Sequence, residues 1–164
     1  MLNSKPAVIF TYRHPLEVAM SLNKRESNFA IRRGLKLWII YNKAAIINSA
    51  DMCRVYSSND EIFSNPMMET KRIVQELTEK CGVPKPPSVI TQPIIDSFID
   101  PSLHHNKKNN PEDGTILEKY GDCDIPTFSE LDISAKDMYL YAMRIHCDLQ
   151  NGAAYHVDYK WPEI

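Results

Sequence analysis

An arginine, a proline and a serine in the spacing Arg13-x-Pro15-x5-Ser21 follow directly on the apolar run Ala7-Val8-Ile9-Phe10-Thr11-Tyr12. The run is unbroken and β-favouring, the pattern of a strand buried on both faces of a parallel sheet. His14 precedes a proline and so avoids helical backbone, whereas Pro15 suits a first helical turn. Leu16, Ala19 and Met20 then fall at helical spacing, with Glu17 in the first turn, where the helix dipole favours an anion. The segment reads as strand, sharp turn, helix. Ligands of open α/β sheets bind where strands end and helices begin. There Arg13 presents a planar fork suited to two phosphate oxygens, and the helix start adds backbone N–H groups and its positive end. Ser21 shares the helix face of Glu17 and His14, so its hydroxyl can point back toward the turn. The chemistry of such a set is capture of one phosphate. Spacing alone leaves another reading open: an arginine at a strand end paired with a carboxylate, and a helical serine bonded to its own backbone.

The elements that must hold this turn are legible in outline. A second helix is expected over 28–49, with Leu35, Trp38, Ile39, Tyr41, Ala45 and Ile46 as its apolar stripe, and a second strand over 52–56. Asn65-Pro66 opens a third helix along Met67, Ile73, Val74 and Leu77, closed by Cys81-Gly82. A rigid linker follows over 84–87, then a short helical turn at Ile94, Ile95 and Phe98. The chain from 104 to 125 is polar and reads as a mobile loop. A final helix over 134–150 carries Met138, Tyr141, Ala142, Ile145 and Leu149 on one face. Strands alternating with helices indicate α/β.

The segment AVIFTYRHPLEVAMSL resembles the part of the sulfotransferase family that binds the 3′-phosphate of 3′-phosphoadenosine 5′-phosphosulfate (PAPS). The resemblance continues through GLKLWIIYNKAA, similar to a Trp- and Tyr-bearing helix of bacterial-type members, and through VYSSNDEIFSNP and the helix after it. Beyond about Pro101 it is faint. It implies that Arg13 and Ser21 are the 3′-phosphate ligands, with PAPS as donor and a hydroxyl or amine as acceptor. It implies a P-loop-NTPase-like three-layer fold, truncated at the N-terminus and helix-rich toward the C-terminus. Residues 1–101 would then be the C-terminal portion of a sulfotransferase domain, 102–125 a mobile polar loop, and 126–164 the last helix and tail of the same domain.

The family's Ser-Gly-Thr loop for the 5′-phosphosulfate is not in the sequence. None of the five glycines is preceded by Ser or followed by Lys, so there is no Walker A motif either. The family's catalytic base, a His or Glu, lies upstream of the Arg-x-Pro turn, and the twelve residues before Arg13 hold neither. His14 and Glu17 belong to the phosphate element, and no catalytic residue is assigned. Sulfuryl transfer needs cationic and N–H groups around the transferring group and a base for the acceptor. Whether the chain is itself an enzyme is therefore open. The rival reading is a non-catalytic interaction module or degenerate remnant in which Arg13 and Ser21 are structural. A P-loop kinase-like enzyme is a third, against which the Arg-x-Pro…Ser spacing argues.

With 164 residues, 43% hydrophobic and 24% charged, the chain has the composition of a globular domain. Its formal charge of -2 offers no bulk attraction to nucleic acid or an anionic membrane. No signal peptide or membrane span is recognisable, so a cytoplasmic location is expected. Cys53, Cys81, Cys123 and Cys147 are widely spaced and read as reduced, packed thiols. No metal site is expected: His104-His105 lacks the i, i+4 spacing of paired ligands, and Asp122-x-Asp124 reads as a solvated acidic loop. Lys24, Arg25, Arg32, Arg33 and Lys36 read as a solvated basic face or as a funnel for an anionic donor. Trp38 and Tyr41 are expected in the core, and Tyr139, Tyr141, Tyr155 and Tyr159 as packing.

Overall fold

The computed structural model describes residues 6–26, 28–99, 115–128, 131 and 133–163. Its elements in chain order are β1 (Ala7–Tyr12), α1 (Pro15–Arg25), α2 (Ile31–Asn48), β2 (Cys53–Ser58), α3 (Asn59–Ser64) and α4 (Pro66–Cys81). They continue with α5 (Gln92–Phe98), β3 (Ile116–Tyr120), β4 (Cys123–Pro126), α6 (Lys136–Gln150) and one 3-10 turn, Ala153–Tyr155. The fold is mixed α/β. The chain forms two compact units, one of Met1–Arg13 with Ile47–His105, the other of His14–Ile46 with Asn106–Ile164.

In the first unit, β1 and β2 pair in parallel, from Ala7 against Cys53 to Tyr12 against Ser58. Phe10 lies opposite Tyr56 with ring centroids 5.3 Å apart. Among the described residues β1 has this one neighbour, and it buries only Phe10 and Tyr12 while Ile9 remains 49% exposed. The expectation of a strand covered on both faces is corrected. One covered face gives period-two burial, because successive side chains point to opposite sides.

The polar run after β2 is also more structured than its composition suggests. Ser58 caps α3 by accepting from the Glu61 N–H at 3.1 Å, and Glu61 returns the bond by accepting from the Ser58 N–H, a capping box. Asn65-Pro66 then opens α4, and Gly82 closes it in the left-handed region at φ 67°, as the sequence predicts. From α4 the carboxylate of Glu69, buried on the β2 side, accepts from Ser57 Oγ at 2.6 Å and from Arg72 Nε at 2.8 Å. Arg72 also donates to the Tyr56 carbonyl and to Glu76. The Arg72 hydrogen bond holds Glu69 below the usual carboxylate range despite the opposing effect of burial, with Ser57 helping.

The core of the second unit is α6, where Tyr139, Tyr141, Ala142, Met143, Ile145, Cys147 and Leu149 are all buried. Tyr139 donates to the Pro126 carbonyl at 2.9 Å, which settles its hydroxyl in an apolar setting. Leu16 and Ala19 of α1 and Leu35, Trp38 and Ile39 of α2 complete the apolar interior. Lys43 of α2 donates to the Tyr141 hydroxyl at 3.2 Å and stands 4.6 Å from the centroid of the Trp161 ring. Tyr41, expected in the core, is 69% exposed. It stands six residues past Leu35, about 120° around the helix from it, which turns it off the stripe occupied by Leu35, Trp38, Ile39 and Ile46.

Two further expectations are corrected. The segment expected to be a loop as far as residue 125 contains a hairpin, β3 against β4, turned by Gly121-Asp122 with Gly121 at φ 57°. All four cysteines are paired rather than reduced: Cys53 with Cys81 and Cys123 with Cys147, at Cα separations of 5.5 and 6.2 Å. The long sequence separations hid both bonds. The parallel pairing of β2 and the return of α4 bring one pair together, and the hairpin seated on α6 brings the other.

Candidate functional site

β1 ends at Tyr12 and α1 begins at Pro15, so Arg13 and His14 alone make the turn. The first bond of the helix runs from the Val18 N–H to the His14 carbonyl at 3.2 Å, leaving the amides before it ahead of the ladder. Arg13 is half-buried at the carboxyl end of the strand and is the last residue of its segment of the first unit. Ser21 is half-buried on α1 in the second unit, a little under two turns from the helix start. The two predicted phosphate ligands therefore belong to different units. Glu17 in the first turn of α1 is 8% exposed, so the carboxylate nearest the positive end of that helix is the protein's own.

His14 does not extend the phosphate set. Its ring lies 5.3 Å from that of His146 and 5.9 Å from that of Phe128, within an aromatic cluster that Trp38 and Tyr139 continue. The basic residues Lys24, Arg25, Arg32, Arg33 and Lys36 are exposed, and the guanidinium of Arg33 sits 4.9 Å over the Phe29 ring. Asp122 occupies the hairpin turn, and Asp124 faces Lys119 Nζ across 3.6 Å. His104-His105 lies outside the described residues. Among the described residues no group of three or more His, Cys, Asp or Glu is gathered to hold a metal ion. No helix among them is long and apolar enough to cross a membrane.

A second polar constellation was not singled out from the sequence. On α6, Asp148 is 6% exposed, and its Oδ2 accepts from Tyr159 at 2.7 Å and from Tyr120 at 3.2 Å. Burial first, then the Asp148 carboxylate, holds both phenols above the usual tyrosine range. Beside it, Arg144 grips Glu118 through two bonds of 2.8 Å and donates to the Glu163 carbonyl at 2.6 Å. The signal was an acidic residue on the apolar stripe of a helix, seven residues after Tyr141 and three after Ile145. Such a residue is rarely buried without polar partners.

No family model, curated protein or solved structure matches this chain.

Proposed function

We propose that the chain is a sulfotransferase-like α/β protein that holds the 3′-phosphate of PAPS with Arg13 and Ser21, for sulfuryl transfer to a hydroxyl or amine acceptor. The observation that carries the reading is the two-residue turn. It leaves Arg13 in the chain between the last residues of a parallel strand and the first residue of an eleven-residue helix, the kind of junction at which α/β proteins bind anionic ligands. The pairing of Arg13 with Ser21, the three-layer P-loop-like fold and the nucleotide donor rest on the spacing and on the resemblance of the sequence. The competing reading, a non-catalytic module, is favoured by Glu17. This buried residue already puts a negative charge in the first helical turn, whose positive end a phosphate would have to share.

Titration calorimetry with 3′-phosphoadenosine 5′-phosphate separates the two. Arg13→Ala is expected to weaken binding by about 1.5–3 kcal/mol, the size of a charge-assisted contact. Equal affinities of wild type and variant, or no binding to either, would overturn the nucleotide reading.

The same proposal includes the compartment. A cytoplasmic location accords with the sequence, but the disulfides Cys53–Cys81 and Cys123–Cys147 are bonds that a reducing cytosol does not maintain. We infer that the protein works in an oxidising compartment.

A further inference from the structure

We propose that the cleft over Asp148 binds a primary ammonium group. The cleft has a volume of about 840 Å³ and is lined by Asp148, Tyr120 and Tyr159, with the exposed residues His156, Asp158 and Lys160 at its rim. The cleft is broad and open to solvent, with room for a small ligand that it would hold without enclosing.

The hydrogen-bond arrangement defines what is missing. A carboxylate only accepts, so both phenolic protons are committed to Asp148 Oδ2. Among the described residues no donor reaches Asp148 Oδ1. The phenol oxygens keep lone pairs but have no proton left to offer. The site therefore presents three acceptor oxygens close together, one negative charge and two aromatic rings, and offers no donor of its own at that point.

The nearest guanidinium cannot supply one, because Arg144 is engaged by Glu118 and the Glu163 carbonyl. The rim cation Lys160 is exposed to solvent. Asp148 Oδ1 is not one of the buried polar atoms left without a partner, and its lone pairs are open to a donor that enters the cleft. A primary ammonium brings three donors on one atom and a positive charge, and it is attracted to aromatic rings. A quaternary ammonium has the charge without the donors, and a neutral sugar has donors without the charge. The inference does not depend on the nucleotide reading, since its residues all lie in the second unit and share none with Arg13 and Ser21.

Titration of the full chain with n-butylammonium chloride, followed by amide NMR and calorimetry, tests it without any nucleotide present. Saturable binding is expected, with shifts centred on Asp148 and Tyr159. Asp148→Asn should weaken it at least tenfold, as loss of a charge-assisted contact requires. Tyr159→Phe, which keeps the ring and the carboxylate, should weaken it severalfold and serves if Asp148→Asn does not fold. Tetramethylammonium, potassium and glucose should each bind at least tenfold more weakly. Absence of saturable shifts in the cleft would overturn the proposal. So would equal binding of tetramethylammonium or potassium, tighter binding of glucose, or unchanged affinity in folded Asp148→Asn and Tyr159→Phe.

Discussion

Gly34 of α2 lies so close to Ala19 of α1 that no side chain fits between them. A Cβ on Gly34 would stand 2.6 Å from Ala19 Cα and 2.8 Å from Ala19 Cβ. Both residues are fully enclosed in the second unit. Glycine inside a helix is normally a weakness of about 1 kcal/mol relative to alanine. Here the weakness is the condition for the two helices to meet.

Gly34→Ala is accordingly expected to destabilise the protein by about 1–3 kcal/mol, the usual range for overpacking, in spite of the better helix propensity of alanine. Urea denaturation measures it. A more stable Gly34→Ala protein would show that the two helices do not approach this closely.

Among the described residues, three carboxylates shape the acid limb of stability. Glu69 and Glu118 are held below the usual range chiefly by hydrogen bonds from Arg72 and Arg144, against the opposing effect of burial. Glu76 is also low: burial would raise it, and the bonds from Lys80 and Arg72 outweigh that. Because their folded values lie below their unfolded ones, their contribution is fully present above the unfolded carboxylate range. It is lost as pH falls through the folded values. The unfolding temperature should therefore drop steeply once pH passes below about 4.5. Arg72→Ala, which leaves Glu69 buried and charged, should cost about 2–3 kcal/mol at neutral pH and flatten that acid limb. Circular dichroism melts from pH 3 to 7 test both, and an acid limb as steep in Arg72→Ala as in wild type would remove Glu69 from the account.

The disulfides give a chemical prediction. After refolding in an oxidising glutathione buffer, iodoacetamide should label none of the four cysteines, and all four after reduction. Removing Cys53–Cys81, which spans 28 residues, should cost about 3 kcal/mol through the freedom returned to the unfolded chain. Four reactive thiols before reduction would restore the reading from spacing alone.

What the sequence disclosed was local. Pro15 marks the start of α1, Asn65-Pro66 and Gly82 bracket α4, and the run 7–12 is a strand, because each of these signals acts through the backbone of its own neighbours. The Gly121-Asp122 turn was equally local and readable, but the polar residues before it masked the short alternation of β3 and β4. What stayed hidden depends on residues far apart in the chain. Neither cysteine pair announces its partner, and Asp148 gives no sign that Tyr120 and Tyr159 converge on it. Of the candidate site, the order strand, Arg13, helix was legible. That its serine and arginine fall in separate units was not, because a division between compact units follows from packing and leaves no mark on residue type.

The parallel pairing of β1 with β2 has a consequence for how the protein is made. Ala7 is made before its partner Cys53, which follows only after α1 and α2 have been synthesised. Through that interval β1 is an apolar segment with an unfilled edge, the kind of strand that seeks other chains. Until residue 58 has been made, β1 thus has no partner strand within the chain, and a chaperone that engages it during that interval would cover the exposed edge.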